Sequence, residues 1–425
     1  METNTKKLSD TKIEVSFKVN KDEFEKCVEE VLRNIQKDFE YPGFRKGQVP
    51  LDIIKKNVSD NFLLEKTAGV CVRKYYYYFL INEKVKAIGE PKIEILKLAF
   101  GDDFEFKVQT DVLPEIQLPD YKKIASEFKK EKVEVKDSDV QETIDWVLKS
   151  RAKIVAKNIE SAAEKGDYVE ISLKMENQEE SKDAFILGEG RLIGDMEKQI
   201  EGMKFCEEKE MEVTFPENHF RKDLAGRKMK IKVKVEGIFN LEIPELSDSF
   251  VKTLGNFQNV EDFKKSIREG IQKEKEIDAS NKLRSQILDR IIENTNFEIP
   301  QILIDREVQR IKNDFQKTLE QNNMSLEDYL KKFNKTKEQI EKEILDMAKK
   351  TIKNYLVLSE IADKENIQAS QEEIQKEIES ILSKYASVEQ AKKDFDEQTL
   401  ISFAKDRVLQ EKVLIFLESL AKDAE

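Results

Sequence analysis

Thr11 to Val19 alternates polar and apolar side chains, with Ile13, Val15, Phe17 and Val19 on one face. That period of two predicts a half-buried strand. The period then changes. Phe24, Val28, Val31, Leu32, Ile35 and Phe39 fall on one stripe at helical spacing and predict an amphipathic helix over 22–39. A short helix opens near Pro50, a residue suited to a first helical turn, and a longer one covers about 59–82. Strands follow over 92–98 and 104–112, joined by a turn at Gly101-Asp102-Asp103. These elements make an N-terminal α+β domain, a small antiparallel sheet with helices on one side. Tyr75-Tyr76-Tyr77-Tyr78 lies on the long helix, where four consecutive residues point in four directions. Partial burial with hydroxyls at the rim fits that better than a base-stacking platform.

Leu113-Pro114 to Pro119 marks a boundary, and an extended stretch runs on through Lys132–Val135. A helix over 137–157 then carries Val140, Ile144, Val147 and Leu148 as its stripe, with Ser138 and Gln141 as a capping box. Residues 166–240 are β-rich, with strands over 168–175, 209–215 and 229–238 and a short helix over 193–200. Gly188-Glu189-Gly190 reads as a turn, and the segment between Met175 and Phe185 as a short, polar, glycine-free loop. From Asp248 onward the pattern is helical. Ile340, Ile344, Met347, Ile352, Tyr355, Leu358 and Ile361 recur mostly at spacings of three and four. Thr336 with Gln339 and Ser370 with Glu373 form capping boxes, and Pro300 opens a further helix. The spacing does not hold to heptads, so these are packed amphipathic helices rather than a coiled coil. Their apolar surface serves either as ordinary core or as a cradle for unfolded chains, where scattered apolar residues amid charge bind weakly at many points.

Tyr41-Pro42-Gly43-Phe44-Arg45-Lys46-Gly47-Gln48-Val49-Pro50 interrupts the helices. Two prolines and two glycines in ten residues rule out a helix or a central strand. An aromatic ring beside two cations on such a stiffened loop suits a joint contact with phosphate-bearing RNA and a protein pocket. The competing reading is a connecting turn whose Phe44 packs inward.

Composition narrows the chemistry. The chain has 425 residues, enough for about three domains, and its 38% charged residues with only 14 Gly and 8 Pro favour long helices. Residues 1–113 hold 20 Lys+Arg and 20 Asp+Glu, so the remainder carries the whole net charge of −12. An acidic body disfavours general nucleic-acid binding, and any RNA contact must come from a local cluster such as Arg45 and Lys46. Cys27, Cys71 and Cys206 are odd in number and far apart in sequence, which predicts reduced thiols. The N-terminus lacks the apolar run of a secretory signal, and no apolar run is long enough for a bilayer, so the expectation is a soluble cytoplasmic protein with no membrane contact. With His219 as the one histidine, no His/Cys zinc site, HExxH or GxSxG-based triad can be written. GxxxxGK[ST] and GxGxxG are both absent, so neither metal nor nucleotide cofactor is expected.

Gly43-Phe44-Arg45-Lys46-Gly47-Gln48-Val49-Pro50 resembles the Gly-Phe-Arg-x-Gly-x-x-Pro docking signature of the bacterial trigger factor family. Phe215-Pro216-Glu217 and Leu224-Ala225-Gly226-Arg227 resemble the second half of that family's FKBP-type domain, and Leu241 to Phe250 resembles its exit. The matches run in family order over most of the chain, while the helical C-terminal third matches in pattern alone. The resemblance implies a multidomain α+β chain: a ribosome-binding domain at 1–113, a linker arm at 114–160 packing with the C-terminal body, an FKBP-like half-barrel at 161–245 and an all-α chaperone domain at 246–425. It implies an ATP-independent chaperone docked through Gly43, Phe44, Arg45, Lys46 and Gly47 on the large ribosomal subunit near the exit tunnel, touching protein and rRNA. Its partners there would be nascent and unfolded polypeptides, and the free form would be a homodimer.

The same resemblance implies a peptidyl-prolyl isomerase pocket. Carried over, Leu192 and Ile193 follow the Gly-x-Gly turn, Phe185 is an aromatic wall, Met196 falls at the floor, His219 with Phe220 follows Phe-Pro-Glu, and Ile231 lies on the last strand. Met196, His219 and Ile231 stand where the family places aromatics, which predicts weak activity. A free cytosolic prolyl isomerase with accessory helices, and a scaffold without enzyme activity, remain as alternatives that would not need Phe44, Arg45 and Lys46.

Overall fold

The alternation at the N-terminus does form a strand, and the spacing after it does form a helix. The structure, a computed structural model, describes residues 1–175, 180–193, 195–215, 226–385 and 396–423. In chain order its elements are β1 (Glu2–Ser9), β2 (Lys12–Val19), α1 (Lys21–Gln36), α2 (Leu51–Asn57), α3 (Asp60–Asn82), β3 (Ala87–Lys97), β4 (Phe104–Val112), α4 (Tyr121–Glu127), α5 (Asp137–Ser150), β5 (Lys153–Ala156), β6 (Tyr168–Met175), β7 (Ser181–Ile186), α6 (Met196–Ile200), β8 (Glu208–Thr214), β9 (Lys228–Glu242), α7 (Asp248–Leu254), α8 (Val260–Glu293), α9 (Gln301–Gln321), α10 (Leu326–Phe333), α11 (Lys337–Lys364), α12 (Gln371–Leu382) and α13 (Glu397–Ser419). The chain is multidomain α+β, with a curled half-barrel sheet and a helical C-terminal region. Among the described residues no helix is long and apolar enough to cross a membrane. The described part falls into two compact units.

One unit comprises Met1–Ser126, Gln286–Phe315 and Glu341–Leu420. Its antiparallel sheet has the order β1-β2-β4-β3. Phe17 and Phe106 face one another in register across β2 and β4, and their rings stack at 4.7 Å with an interplanar angle of 5°. Phe104 lies 5.0 Å from Phe106, and Phe79 of α3 meets Phe17 edge-on at 5.7 Å. These rings seat α1 and α3 on the sheet. Tyr76 alone of the tyrosine run is buried, and its hydroxyl donates to Thr110 Oγ1 at 2.9 Å; Tyr77 and Tyr78 are exposed. β1 was not anticipated. Its sequence, ETNTKKLS, has no apolar alternation because it is an almost fully exposed edge strand held by backbone pairing with β2. Helix α1 stops at Gln36 rather than 39, and α4 folds within the stretch expected to be extended.

In the helical part of this unit, Ile304, Ile352 and Leu356 form a core joined by Leu113, Ile116 and Phe297. Tyr121 is buried and donates to Glu365 Oε1 at 2.5 Å, while Lys86 pairs with Asp363 at 2.9 Å. The Ser370–Glu373 box is reciprocal, at 2.8 and 3.3 Å. The Ser370 N–H, with Lys412, holds the Glu373 carboxyl down at about 2. On α11 the expected stripe holds except at Met347 and Tyr355, which are 57% and 38% exposed.

The second unit comprises Glu127–Ser285, Gln316–Ile340 and Ala421–Glu425. Its β9 is long enough to be shared, pairing with β6 along one edge and with β8 and then β5 along the other; β7 adds beyond β6. The helix expected over 137–157 ends at Ser150, because Lys153–Ala156 pairs with Phe239–Glu242 as β5. Its cap also differs: the Lys136 N–H donates to Asp139 Oδ2 at 3.2 Å, so Ser138 and Gln141 lie inside the helix. The expected polar loop before Phe185 contains β7, recruited by β6 despite its polar sequence. Val140 and Ile144 of α5 pack against Val251 and Phe263, and Arg268 and Lys275 of α8 reach Asp137 and Asp139. In the Thr336–Gln339 box, bonds of 2.9 and 3.2 Å run both ways.

Phe106→Ala is expected to destabilise the β2–β4 layer by about 3–5 kcal/mol, the cost of emptying a large aromatic site. The check is amide hydrogen exchange. Protection of β2 and β4 should fall sharply while that of β6 and β9 stays as in the wild type.

Candidate functional site

The loop after α1 is two tight turns in series. The Phe44 N–H donates to the Tyr41 carbonyl at 3.1 Å, and the Gln48 N–H to the Arg45 carbonyl at 3.0 Å. Gly43 and Gly47 occupy the third position of each turn, with φ of +90° and +82°. That is the type II pattern, which needs a left-handed third residue and favours a proline such as Pro42 at the second. A Cβ at Gly43 would meet nothing within 4 Å, so backbone conformation rather than crowding selects glycine there.

The turns throw out the side chains between them. Phe44 is 43% exposed, Arg45 and Lys46 are exposed, and the Tyr41 ring tilts against Phe44 at 6.4 Å. The inward-packing reading of Phe44 therefore does not hold. Val49 is fully buried, and the Gln36 Nε2 donates to its carbonyl at 2.7 Å, so the far end of the loop is clamped to α1. Lys46 Nζ lies 3.2 Å from Asp38 Oδ1. Gln36, Asp38 and Val49 escaped the sequence reading. The buried Val49 between Gln48 and Pro50 was the one signal that could have marked the clamp.

In the β-rich unit, Phe185, Met196 and Ile231 come together in one buried core, and Leu192 and Ile193 pack against it. His219 and Phe220 lie outside the described residues. A residue the sequence reading missed orders the wall. Glu197 is 8% exposed and accepts the N–H groups of Gly188, Gly190 and Leu192 at 2.8, 3.0 and 2.8 Å. Burial alone would raise its carboxyl; the backbone donors of Leu192, Gly190, Gly188 and Arg191 outweigh that and hold it below the usual carboxylate range. Glu197 thus fixes the stretch that presents Leu192 and Ile193.

Cys27 and Cys71, distant in sequence, meet in the core between α1 and α3, and all three cysteines are free. Their mutual hydrogen bond, with burial, pushes the Cys71 thiol up, which makes it a packing residue rather than a nucleophile.

Residues 1–147 match the family model described as bacterial trigger factor protein, and residues 259–418 match the model of its C-terminus. The chain is 30% identical over 409 residues to a trigger factor of Staphylococcus epidermidis, covering 94% of this chain and 93% of that protein. It is 29% identical over 435 residues to one of Clostridium tetani, covering 100% of both. A solved structure concerned with promiscuous substrate recognition in folding and assembly by the Trigger Factor chaperone is similar in fold, with a TM-score of 0.50, 22% identity and 99% of each chain covered.

Glu197→Gln should loosen the 188–192 stretch. A hydrogen bond to a charged acceptor contributes about 1.5–3 kcal/mol. Since the folded carboxyl lies below its unfolded value, the stabilisation is full above about pH 4.3 and is lost as pH falls through the folded value. Hydrogen exchange at Gly188, Gly190 and Leu192 should show that acid loss in the wild type. The variant should be faster throughout and should lack the transition.

Proposed function

The chain belongs to the bacterial trigger factor family, and on that premise we propose how its parts serve a ribosome-associated chaperone. The observation that carries the reading is the loop at 41–50, where two clamped turns hold Phe44, Arg45 and Lys46 out into solvent. Those three side chains, between Gly43 and Gly47, dock on the large ribosomal subunit near the exit tunnel. The cations meet rRNA phosphate and the ring enters a protein pocket.

We assign docking to 1–113, the arm to 114–160, prolyl isomerisation to 161–245 and client holding to 246–425. Exposed apolar side chains amid charge support the last assignment: Ile401, Phe403 and Ile415 on α13, and Leu326 and Phe333 on α10, a helix with no buried residue. Such a surface holds apolar segments of nascent and unfolded chains without ATP. The site of action is the cytoplasm, and the free form is a homodimer.

Isomerisation requires neither metal nor general base. The barrier of about 18–20 kcal/mol arises from amide resonance, and an apolar pocket that favours the twisted amide lowers it. Phe185, Leu192, Ile193, Met196, His219, Phe220 and Ile231 are assigned to that pocket. Aromatic walls add about 0.5–1.5 kcal/mol each beyond their area. With Met196, His219 and Ile231 in three such places, the activity is weak.

Replacing Phe44, Arg45 and Lys46 together by alanine should abolish co-sedimentation with ribosomes and cost at most about 0.5 kcal/mol of stability, as exposed sites do. Undiminished pelleting of that variant would refute the docking assignment.

In a proline-limited refolding assay the full chain should catalyse about two orders of magnitude less well than an enzyme with three aromatic walls, if the whole deficit of a few kcal/mol is expressed in the transition state. Met196→Trp combined with His219→Tyr should raise the rate. High wild-type activity with no gain in the double variant would overturn the pocket assignment.

A further inference from the structure

Beside the docking loop, a cleft of about 470 Å³ opens between α1 and α3. Its walls are Ile35 and Phe39 from α1 and its extension, and Phe62 and Val70 from α3. Phe62 is 44% exposed, although the buried positions of α3 around it, such as Leu63, are fully covered. Lys66 stands at the rim with its Nζ 5.5 Å from the centre of the Phe62 ring, and Asp38 stands at the rim nearer the loop.

Asp38 links the cleft to the loop, because the carboxylate that edges the cleft is the one that pairs with Lys46. The cleft and Phe44-Arg45-Lys46 therefore form one continuous face. We propose that the cleft is a second anchor of the docking face and takes an apolar side chain from a ribosomal protein beside the loop's own contacts. The proposal rests on the docking reading above.

The chemistry of the cleft selects the occupant. Its walls are mainly aliphatic and aromatic, with Asn34 the one neutral polar side chain among them, and a nucleic-acid backbone entering it would exchange hydration for apolar surface and meet the Asp38 carboxylate. An aliphatic or aromatic side chain instead covers Phe62, the residue left open. A carboxylate next to that side chain would meet Lys66. An exposed aromatic at a concave site continuous with an ionic contact has the character of a binding hot spot, with polar groups around an apolar centre.

The test is ribosome co-sedimentation at several salt concentrations with wild type, Phe62→Ala, Phe62→Leu and the triple alanine variant of Phe44, Arg45 and Lys46. Phe62→Ala should weaken binding by about fivefold to thirtyfold, the worth of losing a half-buried aromatic contact. Its salt dependence should match the wild type, since no ion pair with phosphate is lost. Phe62→Leu should restore most of the affinity.

Wild-type binding by Phe62→Ala, with binding lost in the triple variant, would overturn the cleft and leave the loop assignment standing. Full binding by the triple variant would remove the docking reading itself. An independent measurement uses Phe62→p-benzoylphenylalanine in the full chain. Irradiation on the ribosome should link it to a ribosomal protein; an adduct with rRNA alone, or none, would overturn the proposal.

Discussion

Stacking of Phe17 on Phe106, with Phe104 and Phe79 closing around them, is the contact on which the N-terminal layer depends. The sheet is small, and β1 and β3 are its edges. Helices α1 and α3 can lie side by side on it only because these rings fill the space beneath them. Their spacing in turn sets where Gln36 ends and where Val49 can bury. The loop is short, and a bond of 2.7 Å from Gln36 to the Val49 carbonyl closes it. A packing decision made in the core is thus expressed as the position of three exposed side chains.

Where a segment's fate was decided by its own side chains, the sequence could be read. β2, β4, β6 and α1 were legible because their apolar positions repeat at the period of the element they form. The three strands that were missed share another cause. β1 has an exposed polar sequence, β7 is polar for half its length, and Lys153–Ala156 continues a helical stretch; each is a strand because a neighbouring strand offers unpaired backbone groups. Backbone pairing is blind to side-chain type, so no pattern announces it. The candidate sites divide the same way. Pro42, Gly43 and Gly47 mark the turns through their own conformational demands, whereas Glu197 acts through three backbone donors brought to it by the fold. Charge pattern alone gives no reason to distinguish Glu197 from the other acids of the chain.

The burial of Phe185, Met196 and Ile231 in one core also bears on how the proposed prolyl pocket can exchange residues and the domain keep its fold. A core tolerates exchange among apolar side chains of similar volume, with methionine especially adaptable. Catalysis on a proline ring asks for flat walls at fixed orientation, a stricter demand than filling space. The two requirements separate under substitution. Glu197 is indifferent to both, because it orders the 188–192 backbone whatever stands at the floor.

The proposed docking on rRNA is at first sight awkward for a chain of net charge −12. Two features reduce the difficulty. The first 113 residues, which carry the loop, are neutral, so the acidic excess lies outside the segment that bears Arg45 and Lys46. The second is the Lys46–Asp38 pair at 3.2 Å. An exposed pair of this type contributes at most about 1 kcal/mol, so a well-placed phosphate displaces the carboxylate easily. Until then the pair partly masks the cation, and the loop offers arbitrary RNA little more than Arg45. In the proposed docking, affinity comes from meeting apolar and ionic demands at once, with the ring of Phe44 seated and the cations satisfied. A surface that offers only phosphate, or only grease, fulfils half of that condition, and weak response to half-matches is how a short loop achieves specificity.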